Sequence, residues 1–77
     1  MKIKIKYYGI NSNLPLNIEL PEDSTVEDAL YGIIDKTNDS LETIVSSVFL
    51  VNKSRAKKDT VLNDGDELLI LYMLGGG

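Results

Sequence analysis

LNDGDELLILYMLGGG, residues 62–77, joins a turn, an apolar run and three consecutive glycines. Asn63-Asp64-Gly65-Asp66 has the side chains that favour chain reversal. The segment from Glu67 to Met73 then reads as a strand. Gly75-Gly76-Gly77 has no side chains to pack and loses the most conformational freedom on ordering. The expectation is a thin, mobile tail that holds its carboxylate in solvent. Such a tail suits chemistry performed on its own terminus, inside a narrow channel on another protein. A frayed, inert end is the competing reading.

Upstream, Lys2 to Lys6 alternates strictly, placing Ile3, Ile5 and Tyr7 on one face and Lys2, Lys4 and Lys6 on the other. This predicts a half-buried strand over 2–8 and not a signal peptide. Tyr8 to Asn13 supplies turn residues, and residues 14–20 alternate again with Leu14, Leu16, Ile18 and Leu20 inward. Pro15 fits an edge strand, because it has no N–H for a ladder bond. A helix start follows, with Ser24/Glu27 and Thr25/Asp28 fitting a capping box equally well. Val26, Ala29, Leu30, Ile33 and Ile34 form one helical stripe. Asp35 to Ser40 breaks the pattern, and Leu41, Ile44 and Val45 allow one or two further turns of helix. Val48 to Val51 reads as a short strand, residues 52–55 as a turn, and residues 56–62 as an irregular crossover.

This order predicts an α+β domain over residues 1–77: a β-grasp, with a mixed sheet of four to five strands and one main helix on one face. A ferredoxin-like arrangement would need a second full helix, and residues 41–47 are short for that. With 77 residues, a single domain has a compact core and little room for a private active-site cavity. Cysteine and histidine are absent. That excludes disulfides, a thiolate nucleophile and iron–sulfur clusters, and removes the commonest general base and metal ligands. The acidic clusters lack an ion-binding spacing, so no metal site is expected. The net charge of −4 and the lack of an aromatic platform argue against nucleic acid. No apolar stretch is long enough for a membrane span. The expected compartment is the cytoplasm.

One helix covers one sheet face, yet the last strand is apolar on both parities. With Leu68, Ile70 and Tyr72 inward, Leu69, Leu71 and Met73 face outward beside Lys2, Lys4 and Lys6. An uncovered apolar group of this kind marks a partner-binding face.

Thr25-Val26-Glu27-Asp28, Val51-Asn52, the turn from Leu62 to Glu67 and the terminal Gly76-Gly77 together resemble the ubiquitin-like sulfur carriers of the MoaD and ThiS types. The likeness spans essentially the whole chain. Its specific part is the Asp-Gly-Asp turn, separated from Gly-Gly by an apolar strand. The resemblance implies a substrate and not an enzyme. An E1-like enzyme, using ATP and magnesium, would adenylate the Gly77 carboxylate, with Gly75, Gly76 and Gly77 threading its site. A sulfur donor would displace AMP, leaving a thiocarboxylate that delivers sulfur to an acceptor synthase subunit for molybdopterin, tungstopterin or thiamine. The chain itself would bind no cofactor. Tyr72-Met73-Leu74 stands where the MoaD type often has proline, so the pathway stays open. Two rival readings share this sequence: a ubiquitin-like modifier joined to target lysines through Gly77, and an interaction domain with an inert tail.

Overall fold

The lysine–isoleucine alternation builds the first strand. β1 (Lys2–Tyr8) buries Ile3, Ile5 and Tyr7 and exposes Lys2, Lys4 and Lys6. The computed structural model describes residues 1–11 and 13–73. β2 (Asn13–Glu19) pairs antiparallel with β1, so that Ile18 opposes Ile3 and Pro15 opposes Lys6. β2 is an edge strand, where a proline is tolerated.

The chain then turns into α1 (Val26–Ile33). Of the two capping boxes that fit the sequence, the Thr25/Asp28 pair forms. The Thr25 N–H donates to the Asp28 carboxylate at 2.8 Å, and the Asp28 N–H donates to the Thr25 hydroxyl at 3.4 Å. Thr25 is extended because it bridges Val61, while the Ser24 hydroxyl turns back to donate to the Pro21 carbonyl. The stripe Val26, Ala29, Leu30 and Ile33 is buried, and Ile34 packs against it in a 3₁₀ turn, Ile34–Lys36. A single helical turn and a half follows as α2 (Leu41–Val45), capped by Ser40 and anchored by buried Ile44.

The remaining strands are β3 (Val48–Val51), β4 (Ser54–Ala56) and β5 (Glu67–Leu71). The sheet order is β2-β1-β5-β3-β4, with β1 and β5 parallel and the other pairs antiparallel. This is the expected mixed sheet with one main helix on one face. Several boundaries differ from the sequence reading: β2 covers Asn13–Glu19 and not residues 14–20. Ser54–Ala56, read as turn and crossover, is a fifth strand. Asn52 and Lys53 both have positive φ (50° and 72°), the geometry of a two-residue hairpin turn that keeps flanking strands paired. The last strand ends at Leu71 and not at Met73, although the Tyr72 N–H still donates to the Tyr8 carbonyl at 2.9 Å.

β5 is laced in place where it begins. Gly65 takes φ 85° in the turn, a conformation open to glycine. The Lys2 N–H donates to Asp64, and the Gly65 N–H donates to the Lys2 carbonyl. On the other side the Asn52 N–H donates to the Glu67 carbonyl, its side-chain oxygen accepts from the Glu67 N–H, and its amide donates to Asp66. The family-like residues Asn52 and Asp64-Gly65-Asp66 thus set the register of the central strand. Among the described residues, no helix is long and apolar enough to cross a membrane.

Gly32 lies in α1, yet a β-carbon there would meet only the Ile18 and Leu20 side chains at 3.5 and 3.9 Å, an ordinary contact. Glycine weakens a helix relative to alanine, so Gly32→Ala is expected to stabilise the domain by about 0.5–1 kcal/mol. Urea unfolding monitored by circular dichroism checks this.

Candidate functional site

The register fixes what lies on the uncovered face. Leu69 and Leu71 of β5 oppose Leu50 and Val48 of β3 on one side, and Lys6 and Tyr8 of β1 on the other. Leu69, Leu71, Leu50 and Val48 are each partly buried by one another, and Tyr8 is exposed. The result is an apolar band across three strands, with Arg55 of β4 opposite Leu50 at its margin. Among the described residues, no second helix lies over it.

The lysines are distributed unevenly around the band. Lys6 lies beside Leu69 and makes an ion pair with Glu67 at 3.6 Å. Both groups are substantially exposed, so the pair contributes little to stability. Lys4 opposes Glu67. Lys2 lies farther along the strand, opposite Glu19, in a groove of about 530 Å³ also lined by Lys4, Asn17, Glu19 and Asp64. It shares the face with Leu71 but stands at the opposite end of it. Met73 is exposed beyond the end of β5, so strand alternation does not place it. Gly75, Gly76 and Gly77 lie outside the described residues.

Sequence reading assigned this face to β5 and β1 alone. Val48, Leu50, Tyr8 and Arg55 belong to it as well. The signal for Val48 and Leu50 was present: once Val48–Val51 is a strand and Phe49 faces the core, its neighbours must face out.

At the end of the sheet where β5 stops, a second arrangement was not legible. Tyr7 is fully buried, and its hydroxyl donates to Asp39 Oδ2 at 2.6 Å. Asp39 Oδ1 accepts from the Asn11 N–H at 2.9 Å and from the Asn11 side-chain amide at 3.1 Å. Asp39 is itself buried. The bend needs glycine at position 9, because a β-carbon there would overlap both the Asp39 carboxylate and the Tyr7 hydroxyl. Burial, then the hydrogen bond to Asp39 and the charge of Asp39, push the Tyr7 phenol well above its ordinary value near 10.

A family model described as the ThiS family matches residues 5–77. The chain belongs to the ThiS family. No curated protein matches it significantly by sequence. Among solved structures, it is similar to SAMP1, the small archaeal modifier protein 1 of Haloferax volcanii, with 21% identity, all of both chains covered and a TM-score of 0.78. A putative molybdopterin converting factor, subunit 1, from Pyrococcus furiosus is 25% identical over 90% of this chain and 93% of that one, with a TM-score of 0.73. In the complex of subunits 1 and 2 of the molybdopterin-converting factor from Helicobacter pylori, the matched chain is 19% identical, with both chains fully covered and a TM-score of 0.68. The ThiS-family chain thus has the ubiquitin-like β-grasp of these proteins.

The raised Tyr7 value has a stability consequence. Between the unfolded and folded pKa values the folded state holds a proton that the unfolded chain has released. The Tyr7 contribution is therefore complete below about pH 10 and is lost as pH rises above it. Tyr7→Phe is expected to remove this alkaline fall while lowering stability at neutral pH by about 1–3 kcal/mol, because Asp39 loses a buried donor. Denaturant midpoints measured from pH 7 to pH 11 on both proteins test the sign.

Proposed function

We propose that this chain is a sulfur carrier that acts through the carboxylate of Gly77. The family match carries the reading, because it runs to residue 77 and so takes in the glycine tail with the domain. The chain is then a substrate and not a catalyst. Its carboxylate is a poor electrophile until it carries a good leaving group. An E1-like enzyme, holding ATP and magnesium, forms the acyl adenylate of Gly77 and releases pyrophosphate. A sulfur donor at the oxidation level of sulfide displaces AMP, and the product is a thiocarboxylate. Gly75, Gly76 and Gly77 thread the enzyme's site, since glycine presents the thinnest backbone. The thiocarboxylate gives its sulfur to an acceptor in molybdopterin, tungstopterin or thiamine formation. The complex of subunits 1 and 2 in the Helicobacter protein supports a synthase subunit as one such partner. This reading places the work in the cytoplasm, away from nucleic acid and membranes.

The band of Leu69, Leu71, Leu50 and Val48 is the docking face in this account, with Met73, Lys4 and Lys6 around it and Lys2 at its far end. It lies beside the tail root, so a partner can hold the domain and receive the tail together. The likeness to SAMP1 favours a second reading, conjugation to target lysines. The two share the activation step and part company at the nucleophile: sulfide in one, a lysine amine in the other.

ATP–pyrophosphate exchange with an E1-like enzyme from the same source tests the activation step. Exchange is expected with the full chain and should vanish when Gly77 is removed. Leu71→Asp should raise the KM for the carrier by about tenfold, the loss of one interface anchor, with its thermal unfolding little changed. Exchange that persists without Gly77 would overturn the reading.

A further inference from the structure

The Asp39 carboxylate sits in the connection between the 3₁₀ turn and α2, yet among the described residues the three donors from other segments that it accepts come from Tyr7 and Asn11. Those two residues bracket Tyr8. The Tyr8 carbonyl accepts the N–H of Tyr72, the hydrogen bond that holds the chain to the sheet after β5 ends. Gly9, between them, is the residue whose missing side chain lets the carboxylate approach. The carboxylate therefore fastens the strand end and the following bend on both sides of the residue that anchors Tyr72. Tyr8 and Ile10 project from the fastened stretch and are about half exposed, at 47% and 52%.

Core packing alone does not call for this arrangement. An apolar pair at positions 7 and 39 would fill the same space without burying a carboxylate, which is costly unless well hydrogen-bonded. What the carboxylate adds is direction: two oxygens, fixed against the helical layer, oriented toward two points of one bend.

We propose that Asp39 is a positioning residue for the root of the C-terminal tail: by binding Tyr7 and Asn11 it holds the Tyr8 carbonyl where it anchors Tyr72. Its functional weight rests on the reading that the tail is the reacting part of the chain. A tail root held in one direction reaches a partner's site with less ordering left to do on binding. Residues that contact the docking partner lie on the uncovered face, whereas Asp39 is buried and acts through Tyr8.

Amide hydrogen exchange by NMR on the full chain tests the anchor without any enzyme. In Asp39→Ala the Tyr72 amide is expected to exchange faster by about tenfold or more, with the protected amides of β1 and β5 at the sheet centre changing by less than about twofold. Tyr7→Phe and Asn11→Ala each remove one of the three bonds and should show the same selective loss in smaller measure, which keeps the test usable if Asp39→Ala does not fold. Unchanged Tyr72 exchange in these variants, or equal acceleration across the sheet, would overturn the proposal. In the exchange assay with the activating enzyme, the folded variants should show a higher KM for the carrier at unchanged kcat. An anchor that loosens without any change in KM would leave Asp39 a structural residue only. A chain that the enzyme never adenylates would instead refute the carrier reading, while the amide data still report on the anchor.

Discussion

The parallel pairing of β1 with β5 is the constraint on which the rest of this domain depends. It brings the first strand and the last strand together at the centre of the sheet, with Ile5 against Leu68 and Tyr7 against Ile70. Parallel neighbours need a long crossover, and here α1, α2 and the β3–β4 hairpin lie between them. The pairing does not rest on hydrophobic contact alone. Lys2, Asp64 and Gly65 join the two strands at their starts, and Asn52 holds the start of β5 from the β3 side. A one-residue slip would turn Leu68 and Ile70 outward, and these polar links oppose it.

The same pairing sets what lies at the end of the sheet where β5 stops. Because β5 runs parallel to β1, its exit lies beside Tyr8 and the bend at Gly9. Because only one helical layer is available, the opposite face of β5 stays open, and its second set of leucines joins Val48 and Leu50 in a band. The band leads toward the exit. A partner that covers it would gain apolar burial of about 25 cal/mol per Å².

Much of this was legible because alternation and helical spacing are local. Ile3, Ile5 and Tyr7 declared their face, as did Val26, Ala29, Leu30 and Ile33. What was not legible was tertiary. Thr25 and Ser24 offered equal capping spacings, and the bridge from Thr25 to Val61 decides between them. Ser54, Arg55 and Ala56 carry no apolar alternation, and their strand exists because the Asn52-Lys53 turn folds them onto β3. Asp39 reads as one more polar residue in a broken stretch. Its role depends on Gly9 and Tyr7, about thirty positions earlier, and no spacing rule connects residues that far apart. The uncovered face was half read: β5 supplied its parity, and the same rule applied to β3 would have added Val48 and Leu50.

The central claim is that Gly77 carries sulfur. Intact mass of the protein isolated from its native host, with and without a thiol-reactive alkylating agent, tests it most directly. Exchange of a terminal oxygen for sulfur raises the mass by nearly as much as oxidation of one methionine, so mass alone is ambiguous. Alkylation resolves it, because the chain has no cysteine to compete. The account predicts an alkylated C-terminal fragment ending at Gly77. A fragment bearing only the free carboxylate, together with species in which Gly77 is joined to lysines of other proteins, would contradict the carrier and establish the modifier.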